Sequence, residues 1–132
     1  MLELGGGAIV NMASVQSFVS QARVAPCTTS KTAILGLTRS LAIDYAPLVR
    51  CNAVCPGSID TPMLQNAVAL SPDPGAVLEE CRTGNPLGRI GTPEEIADLV
   101  LYLLSDKAAF ITGQAIRIDG GLGLETGGSK RD

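Results

Sequence analysis

A cysteine and a lysine stand one helical turn apart at Cys27 and Lys31, so a helix through this stretch sets a thiol and an ammonium group on one face. A thiol beside a cation gives up its proton more readily, which makes the pair a candidate for proton exchange. Reach limits it: direct transfer needs heavy atoms within about 3 Å, or one bridging water, and a thiol is short. Few other residues could do acid–base work. The 132 residues include no histidine, which disfavours zinc and imidazole chemistry. Tyr45 lies fourteen residues past Lys31, roughly 21 Å along the same predicted helix. Tyr102 falls in another helix. Of the four cysteines, Cys51 and Cys55 sit in an apolar stretch that reads as a strand. Their Cα atoms are then roughly 13 Å apart, beyond the reach of a disulfide or a shared tetrahedral metal. Free, buried thiols are predicted.

The elements that must position these residues follow from pattern. Ala8–Ala13, after the turn Gly5-Gly6-Gly7, is a short branched apolar run and predicts a buried strand. Pro26–Tyr45 predicts a helix with Ala33, Ile34, Leu37, Leu41 and Ala42 on its apolar face, ended by Pro47. Val49–Val54 predicts a second strand, halted by Pro56-Gly57. Residues 58–91 are rich in Pro, Gly and Asp around one weakly amphipathic stretch, Gly75–Arg82, and predict a flap. Thr92-Pro93-Glu94-Glu95 is a strong helix start, with a threonine cap and a glutamate three residues on. That helix runs to Ser105 with Ile96, Leu99, Val100, Leu103 and Leu104 as its buried face. A last strand, Gln114–Ile118, precedes a Gly-rich tail expected to fray from about residue 122.

This alternation predicts an α/β layout, one domain with three parallel strands, two main helices and a flap. The first strand would keep an open edge unless something covers it, so a homo-oligomer or a missing partner segment is expected. A net charge of −3, with 45% apolar and 17% charged residues, excludes the basic footprint of nucleic-acid binding. No apolar run approaches the roughly 20 residues of a membrane span. The sequence MLELGGGAIV lacks the basic start of a signal peptide, and a cytoplasmic location is expected.

Four local patterns in order resemble the short-chain dehydrogenase/reductase family over nearly the whole chain. The strand end Asn11-Met12-Ala13-Ser14 is similar to the strand that delivers the family's catalytic serine. Cys27-Thr28-Thr29-Ser30-Lys31 fills the slot of its Tyr-x-x-x-Lys. Asn52-Ala53-Val54-Cys55-Pro56-Gly57 with Thr61 looks like the segment lining the nicotinamide. Gly88-Arg89, the Pro93-Glu94-Glu95 helix and Thr112-Gly113-Gln114 through Asp119-Gly120-Gly121 match the closing third.

The resemblance implies a partial Rossmann-like, doubly wound fold: the last three of seven strands, without the four that carry the pyrophosphate turn and the NAD/NADP discriminator. Neither Gly5-Gly6-Gly7 nor Gly121-Leu122-Gly123 with Gly127 joins a strand to a helix as that turn does. It implies hydride transfer between NAD or NADP and a small-molecule alcohol, carbonyl or sugar, most like the sugar (aldose) dehydrogenases. Ser14 would bind the substrate oxygen, and Lys31 would hold the ribose hydroxyls and ease proton loss from the catalytic acid. Pro56, Gly57, the Ile59 backbone and Thr61 would line the nicotinamide, while Asp60 is a flap residue. Cys27 departs from the pattern, standing where the proton-donating tyrosine belongs. Two other readings remain: a non-catalytic homologue using helices Pro26–Tyr45 and Thr92–Ser105 for assembly or regulation, and a thiol-redox or metal protein, which fails on cysteine spacing.

Overall fold

The computed structural model describes residues 1–124. Three parallel strands, β1 (Gly7–Met12), β2 (Val49–Pro56) and β3 (Ala115–Ile118), form one sheet in the order β1-β2-β3. The register pairs Ile9 with Cys51 and Cys55 with Arg117. Among the described residues β1 pairs with β2 alone, leaving its outer edge open as the sequence predicts. β2 runs past the predicted stop and includes Pro56. The amides of Ala53 and Gly57 point toward β3, bonding Gln114 O and Ile118 O. Pro56, one residue out of phase, would aim its absent N–H at the β1 side, where that strand has already ended.

Alternate residues of β2 face opposite helices. Cys51, Ala53 and Cys55 are small and lie toward α1 (Ala25–Asp44), where Ala13, Leu35, Ala53 and Cys55 form one core cluster. Val54 lies on the other face with Ile96, Leu103 and Ala108, packed under α4 (Pro93–Leu104). The buried line of α1 is Leu35, Thr38 and Ala42; of the predicted face Ala42 is buried, Ile34 and Leu41 are half-buried, and Ala33 and Leu37 are exposed. The polar Thr38 belongs inside because its hydroxyl donates to Ile34 O at 2.8 Å and accepts from Asn11 Nδ2 at 2.9 Å. On α4, Ile96 and Leu103 are buried and Leu99 and Val100 half-buried, but Leu104 turns outward.

Both crossovers step the same way across the sheet, yet α1 and α4 cover opposite faces. They are therefore of opposite hand, and one departs from the usual right-handed rule. The long connection after β2 relaxes the sterics behind that rule. It contains two helices where one weak stretch was predicted: α2 (Pro62–Ala69) and α3 (Pro74–Thr83). Neither buries a residue fully, so neither shows a strong apolar period. Both open as α4 does, with a side-chain cap followed by proline, at Thr61-Pro62 and Asp73-Pro74. At α4 the predicted capping box is present: Thr92 Oγ1 accepts from Glu95 N, and Glu95 Oε2 accepts from Thr92 N at 2.9 Å. Of the expected tail, Gly121–Leu124 form a turn, and residues 125–132 lie outside the described residues.

The far end of α4 is closed by an arginine from the sheet. Arg50 Nη1 donates to Leu103 O at 2.8 Å and Nη2 to Ser105 O at 3.0 Å, satisfying carbonyls that a helix end leaves open. Arg50→Met keeps the apolar stem and removes these charged bonds. We expect urea unfolding to show a loss of about 2 kcal/mol, with the m-value unchanged.

Candidate functional site

The C-terminal ends of β1 and β2 carry the residues singled out by sequence. Ser14 continues β1 in an extended conformation and caps the short 3-10 turn Val15–Ser17, its Oγ accepting from Gln16 N at 3.1 Å. It donates to no group among the described residues, so its hydroxyl proton is free for a ligand oxygen. Lys31 reaches from α1 to the strand end, where Nζ donates to Met12 O at 3.0 Å. It makes no ion pair among the described residues and keeps two ammonium protons for other acceptors. Cys27 opens the same helix one turn earlier and is exposed, its carbonyl accepting from Ser30 Oγ.

All four cysteines are free, but the expectation that they are buried holds only for Cys51 and Cys55. Burial pushes both of these thiols up, which keeps them protonated and inert. At Cys55 the Ser14 backbone N–H and the Arg117 charge pull the other way. The described residues hold no cluster of three or more His, Cys, Asp or Glu fit for a metal. No helix among them is long and apolar enough to cross a membrane.

After β2, Pro56 and Gly57 turn against the end of β3. Gly57 N donates to Ile118 O at 3.1 Å, and a Cβ on Gly57 would lie 2.7 Å from Asp119 Cβ and 2.8 Å from Asp119 Cα. Only glycine fits this close approach. Ile59 bridges to Gly91 through the neighbouring groups Ser58 O, Asp60 N and the Gly91 backbone. In a parallel bridge that leaves the N–H and C=O of Ile59 pointing away and open to a ligand. Thr61 caps α2, accepting from Leu64 N, and retains its hydroxyl proton. Asp60 is a flap residue in fact, accepting from Gln65 Nε2 at 2.9 Å.

These groups fit one end of a nicotinamide dinucleotide. A cation with no acid partner among the described residues suits ribose hydroxyls, and an open peptide group with a free hydroxyl suits a carboxamide. No strand-to-helix glycine turn among the described residues fits the pyrophosphate.

Two further groups hold the flap's return, and the first of them, Asn85, escaped the sequence reading. Asn85 is buried, and its Nδ2 lies within 3.4 Å of the carbonyls of Cys81, Arg82 and Arg89, tying the end of α3 to the loop before α4. Gly120 makes room for it, since a Cβ there would sit 2.5 Å from Asn85 Oδ1. An asparagine between two loop signals gives no periodic clue. Arg89 grips Glu95 with two bonds of 2.9 and 2.6 Å. Near this return lies a small cavity of about 80 Å³, bounded by Ser58, Ile59, Arg89, Ile118 and Gly120. A groove of about 590 Å³ opens between α2 and α3, lined by Leu64, Val68, Leu78, Arg82 and Ile90. Ser14, Cys27 and Lys31 line neither.

Comparison with known proteins agrees with this geometry. Residues 1–123 match the family model described as enoyl-(acyl carrier protein) reductase. The chain is 49% identical over 125 residues to 2-keto-3-deoxy-L-fuconate dehydrogenase of Xanthomonas campestris, covering 92% of this chain and 41% of that protein. It is 44% identical over 127 residues to dehydrogenase/reductase SDR family member 6 of Aquarana catesbeiana, covering 94% and 51%. Among solved structures, ligand-free aldohexose dehydrogenase of Thermoplasma acidophilum superposes with a TM-score of 0.90 at 42% identity, over 96% of this chain and 52% of that one. The fold and these likenesses define an α/β protein of oxidoreductase type. The chain belongs to the short-chain dehydrogenase/reductase family. It spans about half the length of the curated relatives it matches.

The Arg89 guanidinium, with help from the Thr92 N–H, lowers the Glu95 carboxyl to about 2. A carboxyl held below its unfolded value stabilises the fold above that unfolded value and ceases to do so as pH falls through the folded one. Support for the flap return is therefore complete above about pH 4.5 and fades toward pH 2. NMR titration of the Glu95 carboxyl checks the midpoint, and Glu95→Gln removes this part of the acid dependence. Gly57→Ala should lower stability by about 1–3 kcal/mol, because Asp119 backbone has to move. Thermal unfolding reads the loss.

Proposed function

We propose that the chain is the catalytic-end portion of a cytoplasmic oxidoreductase moving a hydride between NAD or NADP and an alcohol, carbonyl or sugar, and that it is inactive alone. One observation carries this reading: Lys31 is delivered to the end of β1, two residues before Ser14, with no acid among the described residues to neutralise it. The likeness to an aldohexose dehydrogenase favours an aldose substrate, and a 4-hydroxyisoleucine dehydrogenase solved with NADH is similar over 91% of this chain. Four free thiols suit a reducing compartment.

The bound nicotinamide supplies the hydride acceptor or donor. Ser14 donates its free hydroxyl proton to the substrate oxygen and steadies the charge that develops there. Lys31 holds the ribose hydroxyls. Pro56 and Gly57 shape the loop against Asp119, while the Ile59 peptide and the Thr61 hydroxyl orient the carboxamide. Cys27 occupies the proton-transfer position, and its short thiol requires one bridging water. The half of the family fold that would cover the open edge of β1 completes the dinucleotide site.

The test joins this chain to the N-terminal half of a full-length relative and compares Cys27 with Cys27→Tyr. The tyrosine form should oxidise an aldose or simple alcohol with NAD or NADP about 10²–10⁴-fold faster than the cysteine form, and Lys31→Ala should weaken cofactor binding. A folded product that binds cofactor yet stays inert with tyrosine in place would sink the proposal.

The exposed Cys27 in place of tyrosine favours one second reading, a non-catalytic homologue assembling through its helices. That reading requires a stable oligomer of the isolated chain. A monodisperse folded monomer in light scattering excludes it.

A further inference from the structure

A largely buried ion pair at the end of β3 belongs to none of the roles above. Arg117 stands beside Cys55 in the β2–β3 register, and Asp119 lies two residues on. Arg117 Nε donates to Asp119 Oδ2 at 2.6 Å, and Nη2 closes on the same oxygen at 2.6 Å. The other carboxylate oxygen accepts from Gly121 N at 3.0 Å. The Asp119 side chain is only 6% exposed and that of Arg117 25%. Nη2 also donates to Leu122 O, so the guanidinium is fixed on two sides.

Its flat face is not idle. The guanidinium carbon sits 5.5 Å from the centre of the Phe18 ring, and Phe18 closes the 3-10 turn that Ser14 opens. The turn between them is tight: Ser17 N bonds Ser14 O at 3.0 Å and Phe18 N bonds Val15 O at 2.9 Å. The next residue, Val19, is in contact with the Gly121–Leu124 turn, since a Cβ on Gly123 would lie 3.0 Å from Val19 Cγ1. Just before the turn, Ala13 N bonds Val54 O at 2.8 Å, and Ala13 is buried in one cluster with Cys55, the strand neighbour of Arg117. The segment 14–19 is therefore held at its start by the anchoring of Ala13 on β2 and at its end by Arg117 and the glycine turn. Asp119, which orients Arg117, also abuts Gly57.

We propose that Arg117, oriented by Asp119, is a positioning residue for Ser14: it stacks on Phe18 and fixes the turn that aims the serine hydroxyl. The same carboxylate residue couples that turn to the Pro56-Gly57 loop. The role given to Ser14 rests on the oxidoreductase reading, but the positioning is a property of this chain and is measurable without turnover.

The experiment is amide exchange and ¹H–¹⁵N NMR on the whole chain, comparing the parent with Arg117→Met and Phe18→Leu. A lost cation–ring contact and lost ion pair should cut protection at Gln16, Ser17 and Phe18 about tenfold and shift their amide resonances. Amides of β2 and α4, such as Val54 and Leu103, should be unchanged. Phe18→Leu affects only a half-exposed ring, so it keeps the test valid if Arg117→Met does not fold. Unchanged protection at residues 16–18, or a loss spread evenly through the sheet, overturns the proposal. Failure of hydride transfer in the completed enzyme would bear on the oxidoreductase reading alone.

Discussion

Strand β2 is paired on both edges and covered on both faces, and this sets the limits for everything around it. Five consecutive residues, Cys51–Cys55, are buried. Toward α1 they are small, which brings the helix close enough for Lys31 to span to the end of β1. Toward α4 the polar members must be satisfied because water cannot reach them. Asn52 does so by donating to Ile111 O and accepting from Gln114 N, which fixes the entry to β3, while Arg50 holds the end of α4. Asn52, which opens the segment resembling the family's nicotinamide lining, thus works inside the protein, fixing the strand against which Gly57 rests.

The loops at the active end are shaped by close approach more than by apolar burial. Gly57 rests on Asp119, Gly120 on Asn85 and Gly123 on Val19, each at a distance a side chain would violate or crowd. The Asp119-Gly120-Gly121 corner after β3 consequently touches the Pro56-Gly57 loop and the return of the flap, while the turn that continues it reaches the serine turn. Glycine serves here by letting backbones meet. The charged groups at this corner, Arg117 with Asp119 and Arg89 with Glu95, then lock what the glycines bring together.

The opposite hands of the two crossovers leave one helix on each face of a thin sheet, so β2 is protected and β1 is not. An open parallel edge satisfies its backbone groups with water or with another strand. In the family's full-length members a further half of the fold is available for that purpose, in keeping with a chain that spans about half of its relatives.

Local chemistry was legible in the sequence wherever a residue acts on its immediate neighbours. The capping box of Thr92 and Glu95, the strand at Val49, the turn at Gly5-Gly6-Gly7 and the one-turn spacing of Cys27 and Lys31 were all readable, because each depends on bonds within a few residues or on one helical period. The two flap helices were only half legible: their caps are written in Thr61-Pro62 and Asp73-Pro74, but with no buried face they lack the apolar period that betrays a helix. Tertiary structure alone decided that Thr38 is inside and Leu37 outside, since that choice depends on Asn11 from a distant strand offering a hydrogen bond. It alone decided that Asn85 meets Gly120 and that Arg117 lies under the serine turn. Those contacts join segments far apart in the chain, and no local pattern encodes which buried polar group will find which partner.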